Sequence, residues 1–149
     1  DVRRLTHAQA VGIFVDHYFV RPGIAQLPPV LHESVFDMYV NAGANAVRIL
    51  QRLLNRMGEK LAVDGRIGPN TIAAAARAAA EAPDHIACAY GIARRNYYFA
   101  IADRRPASRK YARTRAGGKG GWIKRAEEFM APRYHMTQAE FDARVAAWG

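Results

Sequence analysis

The 149-residue chain is the length of one ordinary domain. It holds 22 basic and 13 acidic residues, a formal charge of +9, and half of its residues are hydrophobic. That composition excludes a disordered or collagen-like chain and points to a polyanionic partner: nucleic acid, an anionic membrane surface or bacterial wall polymers. The single cysteine, Cys88, excludes an internal disulfide framework and a multi-cysteine zinc module, and no uncharged stretch approaches the ~20 apolar residues of a membrane span.

The chain opens Asp1-Val2-Arg3-Arg4, with neither an initiator Met nor an apolar leader, so a front segment is expected to be missing. Thr6 followed by Gln9 is a capping-box signature and predicts a helix to about Phe19, ended by Arg21-Pro22-Gly23. From Pro29 to Met57 the residues Phe36, Val40, Gly43, Val47, Leu50, Leu54 and Met57 recur at steps of three and four, which predicts one long helix. Gly43 inside it costs ~1 kcal/mol relative to alanine. It marks either the close approach of another element or ligand, or a break into two helices around Ala42 to Asn45.

Val63-Asp64-Gly65-Arg66-Ile67-Gly68-Pro69-Asn70-Thr71 reads as a turn followed by a helix start, and the alanine-rich run to residue 81 is helical. Pro83 opens the next helix, in which Ile86, Tyr90, Ala93, Tyr97 and Ile101 share a face and Arg94 and Arg95 lie off it. On this pattern Tyr97 belongs to the core. A weak helix over Pro106 to Arg115, a glycine-rich loop over residues 117–121 and a helix from Trp122 to Met130 follow. Thr137 with Glu140 is a second capping box and starts the last helix, which closes on Ala146-Ala147-Trp148-Gly149 as a natural end. With no strand-length alternation and no repeat, the chain is expected to be all-α.

Between Arg94 and Arg125 lie eleven basic residues and one acid, Asp103, so this segment carries +10 and the rest of the chain is close to neutral. It either faces an anionic partner or is a solvated helix face with a solubilising loop. The glycine loop is not a phosphate-binding P-loop, because Lys119 is followed by Gly120 rather than Ser or Thr and Arg113 stands where the first glycine belongs. It offers backbone N–H groups to a ligand only at the helix start. The five histidines form no i, i+4 pair, so no metal site is expected, and Cys88 reads as a packed thiol.

Glu33 and Asp37 share one side of a helix, and paired carboxylates are the tools of glycoside hydrolysis, but two acids at this spacing are more often a solvated face. Asp37 and Asn41, again one turn apart, sit within an apolar run and suit a cleft edge. Tyr98 and Trp122 add aromatic surface of the kind that stacks on sugar rings or bases.

Phe36-Asp37-Met38-Tyr39-Val40-Asn41-Ala42-Gly43 is similar to the "FD-x-x-VN-x-G" helix of glycoside hydrolase family 108, the lysozyme-like N-acetylmuramidases that include secretion activators and prophage endolysins. Leu50-Gln51 matches the family's "LQ", and Val63 to Thr71 resembles the "DG-x-x-G-x-x-T" signature of its peptidoglycan-binding region. Arg95-Asn96-Tyr97-Tyr98 and Gly120-Gly121-Trp122-Ile123-Lys124-Arg125 match "R-x-x-Y" and "GW-x-x-R", and Leu5-Thr6 through Tyr18-Phe19 looks like "LT-x-x-x-A … YW" with Phe19 in place of Trp.

The resemblance implies a lysozyme-like helical unit divided into residues 1–58, the end of the muramidase part, and 59–149, a peptidoglycan-binding region packed with it. It implies cleavage of the β-1,4 bond between N-acetylmuramic acid and N-acetylglucosamine by the full protein, with no metal or organic cofactor. The family's "E-G-G-Y" motif with the catalytic Glu does not occur here, so no catalytic residue is assigned, and Glu33 matches nothing catalytic in the pattern. The glycan groove is expected at Asp37, Asn41, Tyr98, Trp122 and Arg125. The partners are peptidoglycan strands and anionic wall polymers, met by a bacterial monomer at the periplasm or cell wall. The rival readings are a non-catalytic wall-binding module and, from the charge, a nucleic-acid-binding helical domain.

Overall fold

The computed structural model describes residues 6–149. Leu5, the first half of the Leu5-Thr6 pair, lies outside the described residues. The chain forms two compact units that meet at Pro83 and Asp84. Among the described residues there is no strand, and a single antiparallel bridge joins Arg113 to Lys119.

In the first unit, α1 (His7–Val15) starts at the Thr6 capping box, with Thr6 Oγ1 accepting from the Gln9 amide at 3.1 Å. The helix then widens into a π-helical turn, Asp16–Val20, where the Arg21 amide donates to the Asp16 carbonyl. Although α1 is rich in apolar residues, none of them is buried, and Ile13 and Phe14 are 57% and 41% exposed. Its inner edge meets an aromatic cluster in which the Phe14 ring lies edge-on to Phe36 and tilted against Tyr18.

The predicted long helix is two helices, α2 (Pro29–Ala42) and α3 (Asn45–Arg56). The break is at Gly43, whose φ of 60° and ψ of −137° are open essentially to glycine alone. A side chain there meets nothing within 4 Å, so the glycine serves the turn and not a close approach. α2 buries Leu31, Val35 and Met38, and α3 buries Val47, Leu50 and Leu54. These side chains recur at helical spacing, and each contributes about 1.5–3 kcal/mol on leaving water. α4 (Pro69–Glu81) completes the unit through Thr71, Ala74, Ala75 and Ala78.

In the second unit, α5 (Ile86–Arg104) is the central element. The short α6 (Arg109–Ala112), α7 (Gly121–Glu128) and α8 (Gln138–Val145) follow, and α8 starts at the predicted Thr137 capping box. α7 approaches α5 at Gly91, where an added Cβ would collide with the Met130 side chain. The buried surface of α5 therefore extends beyond the predicted stripe to Gly91, Arg94, Tyr98 and Ala102. Cys88 is 8% exposed, and its sulfur accepts the Ala131 amide, as suits a packed thiol.

Candidate functional site

In the first unit the motif residues are joined by one side chain. Gln51, 1% exposed, extends from α3 into the loop before α4. Its Nε2 lies 3.0 Å from Asp64 Oδ1, 3.0 Å from the Arg66 carbonyl and 3.2 Å from Thr71 Oγ1, while its Oε1 accepts the Gly65 amide at 3.0 Å. The "LQ" and "DG-x-x-G-x-x-T" patterns are thus the two halves of one internal clamp. Gly65 takes the turn at φ 75° under the Arg48 guanidinium. The Gln51 bond, with the Arg66 amide, holds the Asp64 carboxyl below its ordinary range.

Asp37 is half-buried and Asn41 exposed, one turn apart on α2, and both have interaction partners within the protein. Glu33, also on α2, is exposed and borders an apolar depression of about 320 Å³ formed with Val15, Phe19, His32 and Phe36.

In the second unit the structure brings Tyr98 and Trp122 together, but not as two groove walls. Tyr98 is 2% exposed and stacks on Trp122 at 4.7 Å between centroids and 17° between planes. Trp122 is half-buried, and the ring of Tyr111, 49% exposed, lies 5.1 Å from it at 34°. Tyr98 is therefore the floor, and Trp122 with Tyr111 forms the accessible platform. The expected roles of Tyr97 and Tyr98 are exchanged: Tyr97 is the half-buried ring and Tyr98 the core one, because α7 covers the Gly91–Tyr98 side of α5. Tyr111 carries no sequence signal beyond its aromaticity. Arg125 is exposed one turn beyond Trp122 on α7 and engages a partner within the protein.

Gly120 builds this corner. Its amide donates to the Ala112 carbonyl at 2.8 Å, and a Cβ there would lie 2.5 Å from the Tyr111 carbonyl oxygen. The glycine loop is closed on itself, with the Gly117 amide on the Thr114 carbonyl and the Gly118 amide on Thr114 Oγ1 at 3.0 Å. These N–H groups are spent inside the loop and are not presented to a ligand.

The basic segment is also partly consumed internally. Arg94 is fully buried, with its guanidinium 5.6 Å from the centre of the Phe129 ring. Glu127, 4% exposed, receives Arg95 at 2.7 Å, Lys119 at 2.5 Å and the Met136 amide at 2.8 Å. Burial pushes its carboxyl up, but Lys119, the Met136 N–H and Arg95 together outweigh that and hold it below its ordinary value. Asp103 is likewise lowered, first by the forked bond from Arg144, against burial and with help from the Trp148 N–H. Glu127 and its partners were invisible in the sequence because their separations, 32 residues for Arg95 to Glu127, follow no local period. What stays outward is a cluster around α6.

The Predicted Peptidoglycan domain model matches residues 45–127. The Glycosyl hydrolase 108 model matches residues 1–43. The two matches adjoin at the α2–α3 break. No curated protein and no solved structure matches the chain.

Proposed function

The chain belongs to the Predicted Peptidoglycan domain family, and from that premise we propose that its second unit holds a glycan strand on the platform of Trp122 and Tyr111. It is a peptidoglycan-binding domain joined to a glycosyl hydrolase 108 segment, a muramidase-like arrangement that acts in association with the cell wall. Among the described residues no helix is long and apolar enough to cross a membrane.

The observation that carries the reading is the ring stack. The buried Tyr98 fixes the plane of Trp122, and Tyr111 extends that surface outward. An indole and a phenol offer large apolar faces with polar edges, which suits the C–H face of a pyranose and its rim of hydroxyls. Arg125 supplies N–H donors at the platform's edge, for the acetamido carbonyl of the sugar. On α2, Asp37 and Asn41 offer acceptors and an amide to sugar hydroxyls as a contact surface of their own. Binding, and not bond cleavage, is the role assigned to these residues. Internal use of Arg94, Arg95 and Lys119 weakens the case for a nucleic-acid partner.

The chain contains two tryptophans, Trp122 and Trp148. In Trp148→Phe the emission reports Trp122 alone. Titration with soluble muropeptides is expected to shift and saturate that emission. Unchanged emission up to millimolar ligand would contradict the platform.

A further inference from the structure

We propose that the basin beside α6 is a subsite for the carboxylates of peptidoglycan stem peptides, an assignment that rests on the peptidoglycan reading above. The basin holds about 440 Å³ and is lined by Arg109, Lys110, Arg113 and Arg115, with Thr114, Ala116, Gly117 and Gly149. Its lining side chains are basic or neutral.

Two of the cations are held in place before any ligand arrives. The Arg109 and Arg113 guanidinium groups lie 5.4 and 5.5 Å from the centre of the same Trp148 ring. Arg109 also donates from Nε to the Ala102 carbonyl at 2.9 Å and from Nη2 to the Asp103 carbonyl at 3.2 Å. Fixing like charges beside one another costs electrostatic energy, which an anion placed between them recovers. Guanidinium forks match carboxylates in a two-point geometry. The loop amides of Thr114, Gly117 and Gly118 are already bonded within the loop, so the side chains are the source of the attraction.

The position of the basin selects the ligand. Lys110 Nζ lies 5.3 Å from the centre of the Tyr111 ring, so basin and platform share an edge. In peptidoglycan the stem peptide hangs from the lactyl group of muramic acid and carries free carboxylates along its length. A sugar on Tyr111 and Trp122 therefore has its peptide substituent beside Lys110, at the edge of the basin that Arg113 and Arg115 also line. The covalent order of the ligand, sugar then peptide, matches the order of the two surfaces.

The test uses the 149-residue chain and purified sacculi stripped of phosphate-bearing polymers, either native or with their carboxyl groups amidated. Wild type is expected to lose roughly tenfold in affinity on amidated sacculi. Lys110→Glu/Arg115→Glu should show the same loss on native sacculi and no further loss on amidated ones. Lys110→Ala/Arg115→Ala, which removes charge without reversing it, should fall between. Equal wild-type binding to both sacculi, or unchanged binding by both variants, overturns the subsite while leaving peptidoglycan binding intact. Wild type that pellets with neither preparation overturns both.

Discussion

Tyr98 and Trp122 lie face to face, 4.7 Å apart and within 17° of parallel, with Tyr98 buried and Trp122 half-buried. That relationship divides the labour between two residues that the sequence presents as equivalent. Tyr98 belongs to the packing of α5 against α7. Trp122 inherits its orientation from that packing, and a pre-set ring binds at a lower entropic cost than a mobile one.

The Glu127 cluster should dominate the stability of the second unit. Glu127→Ala removes the anion and leaves Arg95 and Lys119 facing each other at a largely buried site. The expected loss is about 3–5 kcal/mol, read by denaturant unfolding. The same cluster sets a pH dependence. Because the carboxyl is lowered in the folded state, its stabilisation is present above the ordinary glutamate range near pH ~4.3 and is lost as pH falls through the lower folded value. Asp103 acts in the same direction. Wild type should therefore lose stability on acidification below about pH 4.3, and Glu127→Gln should show a flatter profile over the same range.

Gln51→Ala should release the loop between α3 and α4. It strips partners from Thr71 Oγ1 and the Gly65 amide, and the cost is about 1–3 kcal/mol for polar groups left unpaired. Hydrogen exchange is the direct readout. The Gly65 amide should exchange much faster in the variant, while amides in the middle of α5 keep their protection.

Gly120→Ala places a methyl group against the backbone of Tyr111 and Ala112. Backbone cannot rotate away as a side chain can, so the corner must open, at about 1–3 kcal/mol. Tyr111 should then move relative to Trp122. Near-ultraviolet circular dichroism of the aromatic rings should change more than the far-ultraviolet helical signal does.

The two capping boxes at Thr6 and Thr137 were legible because each is contained in four residues. The break at Gly43 was legible as one of two alternatives, since a glycine within a helical period signals either a turn or a close approach. The residues proposed to hold glycan were only partly legible. Trp122 stands out by type, but Tyr98 and Tyr97 are adjacent, and which one is covered depends on where α7 lies. That position is set by Gly91 and Met130, a relation between distant parts of the chain. Arg94 and Arg95 read as surface charge for the same reason. A local period shows which residues share a stripe, not whether a second helix covers the neighbouring one. The family motifs were readable as strings, while their physical meaning needed the Gln51 clamp.

The most direct measurement is co-sedimentation of wild type and Trp122→Ala with purified peptidoglycan at physiological ionic strength, with helical content checked by circular dichroism. Peptidoglycan binding through the platform predicts that wild type pellets with the sacculi and that folded Trp122→Ala stays largely in the supernatant. Equal pelleting of the two proteins would contradict the platform, and wild type remaining in the supernatant would contradict peptidoglycan binding itself.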